Sequence, residues 1–246
     1  MLTSLFLPTL ALFTPLIHAH GKVVSVRGNV GGNGTALGII GNIVPGTGSN
    51  DITEVDTTVF KKTDISTDGL GKTTRGGENR IEGLWLANGL SGGKLPQVSA
   101  KGGSIEGVFH IVTTDGAGPV RAIIDPGATG AFSNGIEANV TLDVPGNKGN
   151  IKPNGVVPRD LGFWSLTKRA GAKNVNLDFP MKIQIPEGTA CNGSVGGQEN
   201  VCFLKIANSN KAGPFGGVVA FQIVNGTGNN GTITKIEKPV AKLFNA

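Results

Sequence analysis

The amino-acid sequence predicts an all-β fold, and three observations carry that expectation. Glycine occurs 40 times in 246 residues, far above its usual share of about 7%. Only 16% of the residues are charged. The apolar residues gather in short alternating segments divided by Gly, Pro and Asn. An interior glycine costs a helix roughly 1 kcal/mol relative to alanine, whereas turns take it readily. Short strands separated by such turns suit a β-sandwich, and an immunoglobulin-like one with long Gly-rich loops is the arrangement expected.

The chain opens with nineteen residues that carry no charge, are rich in Leu, Phe and Ile, and close on Ile17-His18-Ala19. A short apolar stretch ending in a small residue reads as a signal peptide. Pro8 and Pro15 interrupt it, and a membrane span needs about 20 apolar residues in a row. Cleavage after Ala19 would leave one exported domain, residues 20–246, with His20 as its first residue. That size suits a single sandwich or barrel, which runs to about 200–250 residues. No later segment is apolar enough to span a bilayer, so no membrane contact is expected once the leader is removed.

The expected elements follow in order. Lys22 to Arg27 alternates and is broken by Gly31-Gly32-Asn33-Gly34. Residues 38–80 are polar and loop-like, long enough to be a functional surface or a mobile excursion. Ser104 to Val112 returns to period two, with Val108, His110 and Val112 on one face and Phe109 and Ile111 on the other. Asp115-Gly116-Ala117-Gly118-Pro119 reads as a turn, Asp115 being a turn residue, and Val120 to Ile124 as the return strand. Ile136 to Leu142, Met181 to Ile185, Val201 to Ile206, Val218 to Val224 and Thr232 to Ile236 complete the set.

A net charge of +5 is spread thinly, with Lys61-Lys62 and Lys168-Arg169 the adjacent basic pairs. Without a basic run interleaved with aromatics, nucleic acid is not expected as a partner. The two cysteines, Cys191 and Cys202, are an even count in a chain read as exported, which suggests one disulfide. Asn-x-Ser/Thr sequons at Asn33, Asn139, Asn192, Asn225 and Asn230 are candidate glycosylation sites.

Three histidines occur, His18, His20 and His110, and cleavage after Ala19 would discard the first. An N-terminal histidine offers two ligands to one metal, its α-amine and its ring Nδ1. The imidazole of His110 would add a third nitrogen. Such a set suits Cu(II), which favours tetragonal N/O sites, better than zinc, which prefers a tetrahedral set. The alternatives are an accidental terminal histidine and a half-buried His110 with an ordinary hydrogen bond. Hydrolytic chemistry has less to stand on. The carboxylates Glu106, Asp115, Asp125 and Asp143 show no pattern of a catalytic pair, and no nucleophile motif is present. Trp85 and Trp164 can stack on sugar rings, although buried core aromatics are the commoner use of tryptophan.

Three segments then carry a family likeness. His20-Gly21 is followed by Gly31-Gly32-Asn33-Gly34-Thr35-Ala36-Leu37-Gly38. His110 is followed by Asp115-Gly116-Ala117-Gly118-Pro119, Ile124-Asp125 and Ala128-Thr129-Gly130. Cys191 and Cys202 are followed by Asn208 and Ala212-Gly213-Pro214-Phe215-Gly216-Gly217. In this order they resemble the appressorium-associated secreted virulence proteins of pathogenic fungi, a family that in turn looks like the lytic polysaccharide monooxygenases.

The resemblance implies an infection-associated protein with copper as cofactor, held by His20 and His110 in a histidine brace. It implies Phe215 as the axial residue beside the metal, and a wall or cuticle polysaccharide as the target. It also shows departures. Ile206 and Val218 stand where the family tends to have cysteines, Gly213 stands where active monooxygenases often have a glutamine, and the chain has no tyrosine. Two functions are therefore expected from one scaffold. One is copper-dependent oxidative attack on polysaccharide; the other is a non-enzymatic copper-binding or wall-binding effector.

Overall fold

The computed structural model describes residues 20–41, 46, 48–159 and 172–224. The expected leader, Trp164, Asn225, Asn230 and the strand expected at residues 232–236 lie outside them. The strands are β1 (Gly21–Gly28), β2 (Gly31–Gly34), β3 (Thr58–Val59), β4 (Lys72–Thr73), β5 (Gly77–Glu78), β6 (Gln97–Ser99) and β7 (Gly103–Thr113). They continue with β8 (Val120–Asp125), β9 (Ile136–Leu142), β10 (Asn174–Ile185), β11 (Gly193–Val195), β12 (Gln198–Asn208) and β13 (Phe215–Val224). Among the described residues two short α-helices, α1 (Asn50–Thr53) and α2 (Leu84–Leu90), and a 3-10 turn at Ile81–Gly83 interrupt them. The all-β class is as the sequence predicts.

These strands form one mixed sheet rather than two kept apart. Antiparallel pairing runs β12–β8–β9–β10–β7–β1, and β13 then joins β1 in parallel and β12 in antiparallel register. The circuit therefore closes on itself. The period-two alternation of β1, β7 and β10 sends Val23, Phe109 and Ile111 to the interior, where they pack with Ile124, Met181, Leu204 and Phe221. Complete burial of each such side chain contributes about 1.5–3 kcal/mol. The disulfide Cys191–Cys202 forms within this cluster, with a Cα–Cα distance of 5.0 Å.

The excursion after β2 is more built than its composition suggests. It carries α1 and the two-residue strands β3, β4 and β5, and Val59 pairs with Phe215 at the start of β13. A buried ionic group holds it to β1. Lys22 Nζ lies 2.9 Å from Glu54 Oε2 and 2.5 Å from Asp56 Oδ1, and donates to the Thr53 carbonyl at 3.3 Å. All three charged side chains are essentially sealed from water. The outer oxygens are used as well, since Glu54 Oε1 accepts from Gly46 N–H at 2.7 Å and Asp56 Oδ2 from Ile40 N–H at 3.0 Å.

A second apolar cluster, with Leu37, Phe60, Phe132, Phe203 and Val218, fills the other face of β12 and β13. Lys205 enters it from β12. Its ammonium lies 4.0 Å from the Phe60 ring centroid and 5.3 Å from that of Phe132, and donates to the Thr67 carbonyl. Burial lowers its pKa to about 8, against the opposing pull of Asp68 and Asp64.

Candidate functional site

Strand register places the two histidines at one end of the β1–β7 pair. Lys22 stands opposite His110 and Gly21 opposite Ile111. His20 continues β1 outward, its carbonyl accepting from Val112 N–H at 3.0 Å and Thr113 N–H at 3.3 Å. His20 is therefore about two residues along from His110, a rise of roughly 7 Å at 3.4 Å per residue. Gly116 makes this approach feasible. A Cβ there would fall 1.4 Å from the His20 carbonyl oxygen, so any larger residue would push His20 away.

The His20 ring is held on two sides. Nδ1 lies 3.0 Å from Asp115 Oδ1 and also contacts Thr113 Oγ1. The Thr113 hydroxyl donates to the same carboxylate at 2.7 Å. The edge-on ring of Phe215 sits beside it, with centroids 4.9 Å apart and planes at 76°. Phe215 is fully buried. The parallel register Lys22↔Gly216 explains why it reaches His20.

His110 is sealed on the opposite face from Phe109, with its side chain 3% exposed. Its Nδ1 lies 2.7 Å from Asp178 Oδ1. Nε2 is buried and has no hydrogen-bond partner. Buried ring nitrogens are normally paired, because an unmade hydrogen bond costs about 1–3 kcal/mol. An orphaned acceptor here fits a cation as its missing partner. Gly46 closes the space around this ring, since a Cβ added to it would stand 3.7 Å from His110 Cε1.

Two buried asparagines, Asn208 and Asn210, brace the turns around His20. Asn208 Nδ2 donates to the Ala117 carbonyl at 2.8 Å, while its Oδ1 accepts from Phe215 N–H at 2.9 Å. Asn210 Nδ2 donates to the Asp115 carbonyl at 2.6 Å and to Gly149 at 3.2 Å. The turn beside His20 and the start of β13 are thus fixed to one another. Asp115 is the turn residue the sequence predicts, and its carboxylate contact with His20 has no local sequence signal. Asp178, Thr113 and Asn210 carry no such signal either.

The remaining carboxylates serve local ends. Asp125 caps its own turn through Gly127, Thr129 and Gly130 N–H groups. Asp143 accepts from Val120 and Val144 N–H, and burial raises its pKa against those bonds. Glu106 pairs with Lys182 at 2.9 Å. The commoner expectation for tryptophan fails at Trp85, which is 71% exposed on α2. The helix is a single short segment whose inward residues, Leu84 and Ala87, already fill its one apolar face. Asn33, Asn139 and Asn192 are exposed.

The donor set bears on what metal could sit here. Among the described residues no group of three or more His, Cys, Asp or Glu side chains is placed to hold a metal ion. The set expected from the sequence, two imidazoles with a main-chain amine, is of a different kind. The orphaned Nε2 of His110 fits that combination directly. His20 would fit it only with its amine freed by cleavage and its Nδ1 released from Thr113 and Asp115. Among the described residues no helix is long and apolar enough to cross a membrane.

Comparison with known proteins gives the family. A model of the Egh16-like virulence factor family matches residues 18–216, which include His20, His110 and Phe215. The appressoria-specific virulence factor GAS1 of Pyricularia oryzae is 35% identical over 223 residues, covering 90% of this chain and 78% of that protein. The appressoria-specific virulence factor GAS2 of the same fungus is 36% identical over 140 residues, covering 56% of this chain and 42% of that protein. No solved structure matches the chain. The chain belongs to the Egh16-like virulence factor family, a group of infection-associated fungal proteins.

Proposed function

We propose that the chain is exported, is cut after Ala19, and holds one copper ion between His20 and His110 in order to engage wall or cuticle polysaccharide. The observation that carries this is the buried, unpartnered Nε2 of His110, whose other nitrogen is tied to Asp178. Its support is chemical: amine and imidazole nitrogens are borderline donors suited to Cu(II). Phe215 stands against the His20 ring, where an apolar ring would keep one side of a metal dry. When bound, copper supplies one-electron chemistry with dioxygen or peroxide and an external reductant. The chain's own part is to orient two imidazoles, present an amine and exclude water through Phe215.

A second use of the scaffold is favoured by two features. Gly213 offers no side chain where active monooxygenases often carry a hydrogen-bonding glutamine, and Trp85 presents its ring to solvent. An exposed indole suits stacking on a sugar face, so a non-enzymatic polysaccharide-binding effector is the alternative. Secreted protein should begin at His20 by N-terminal sequencing. Calorimetry and electron paramagnetic resonance should then show one Cu(II) in nitrogen ligation, weakened by orders of magnitude in His110→Ala and in protein extended before His20. Equal affinity in all three would remove the copper site. Release of oxidised oligosaccharides with a reductant separates the enzyme from the binder.

A further inference from the structure

We propose that Asp178 is the positioning residue of His110: its carboxylate holds the proton on Nδ1 and so turns the Nε2 lone pair into the buried site. Three observations converge on this. First, Asp178 on β10 and His110 on β7 are direct cross-strand partners, so their side chains leave the sheet on one face with Cβ atoms about 4.5–5.5 Å apart. Second, Nδ1 and Oδ1 are 2.7 Å apart, the distance of a charge-assisted hydrogen bond. A carboxylate only accepts, so the shared proton belongs to Nδ1. Third, Nε2 is buried without a partner.

The alternatives are worse. With the proton on Nε2, a donor would be buried with no acceptor while two lone pairs faced each other across 2.7 Å. With both nitrogens protonated, the same orphaned donor would remain. Lys22, opposite His110 on β1, is committed to Glu54 and Asp56. The Asp178 side chain is 46% exposed while the ring is 3% exposed. The carboxylate thus reaches a sealed imidazole from the solvent side. Histidines that ligate metals commonly donate their other N–H to a carboxylate, which fixes tautomer and ring orientation. Sequence spacing alone gives no sign of this, since 68 residues separate the two.

The role of Asp178 toward a metal rests on His110 being a ligand, but the tautomer does not. Nitrogen-15 spectra of the metal-free secreted protein read it directly, with His20→Ala used to assign the His110 signals. Wild type should show His110 protonated at Nδ1, Asp178→Leu should lose that preference, and Asp178→Glu should keep it. In the same proteins Cu(II) affinity should fall about 10–100-fold for Asp178→Leu, with Asp178→Glu in between. Matching thermal unfolding of Asp178→Glu and wild type guards against misfolding. A wild-type His110 protonated at Nε2, or an Asp178→Leu tautomer unchanged from wild type, would overturn the proposal. If wild type takes up no copper while the tautomer still follows Asp178, the metal reading fails and the positioning role stands.

Discussion

Lys22 and Asp56, 34 residues apart in sequence, meet inside the protein at 2.5 Å. The contact fastens the excursion after β2 to the strand that carries His20. Taking charges out of water is costly, and the pair is stable only because Glu54, the Thr53 carbonyl and two N–H groups complete it. Removing the cation alone would bury two uncompensated carboxylates. Lys22→Met should therefore lose about 3–5 kcal/mol, measured by denaturant unfolding. The combination of Lys22→Met, Glu54→Gln and Asp56→Asn should recover much of that loss. An equal loss in both would show that charge is not the cause.

Lys205 gives a pH dependence of defined sign. Burial lowers its pKa in the folded protein from 10.5 to about 8. Between those values the unfolded chain holds a proton that the folded chain does not, so stability rises with pH there. Lys205→Met lacks this term. The melting temperature of wild type relative to Lys205→Met should therefore climb as pH rises through that window. A constant difference would mean that the ammonium is not being discharged on folding.

Gly116 has no room for a side chain. Its Cβ would overlap the His20 carbonyl, which itself closes the β1–β7 pair. Gly116→Ala should cost about 1–3 kcal/mol as an overpacking defect. It should also displace His20 from Phe215 and Asp115, and so weaken the proposed Cu(II) binding. Unchanged stability by chemical denaturation would place the turn elsewhere.

The disulfide closes a short loop, with a sequence separation of 11. Chain-entropy reasoning gives about 3 kcal/mol for a loop of this size. Replacing both Cys191 and Cys202 by Ala should lower unfolding free energy by about that amount. Intact mass before and after reduction should differ by roughly two hydrogens, as expected of one bridge. No mass change would mean free thiols.

Legibility followed the range of the interactions. Ile136 to Leu142 alternates within itself, and its observed bounds are those expected from sequence. β10 begins at Asn174, well before the expected Met181. Asp178 and Pro180 have weak strand propensity, and pairing with β7 holds them in the strand. The helix at Leu84–Leu90 went unseen because it has no side-chain cap and is only 7 residues long. His20, His110 and Phe215 could be singled out from chemistry and family likeness. Asp178 on His110 and Glu54 on Lys22 could not, since topology alone brings them together. Likewise, closure of the sheet depends on β13 meeting both β1 and β12, which no local pattern encodes.

That closure has a consequence for behaviour at high concentration. Long open strand edges recruit neighbouring chains into shared sheets, and proteins blunt them with short or charged terminal strands. Among the described residues the sheet ends at β11, three residues long, and at β5, two residues long and ending in Glu78. Each offers a neighbour only a few hydrogen bonds before the template runs out. These two short ends give a neighbouring chain little template for adding a strand there.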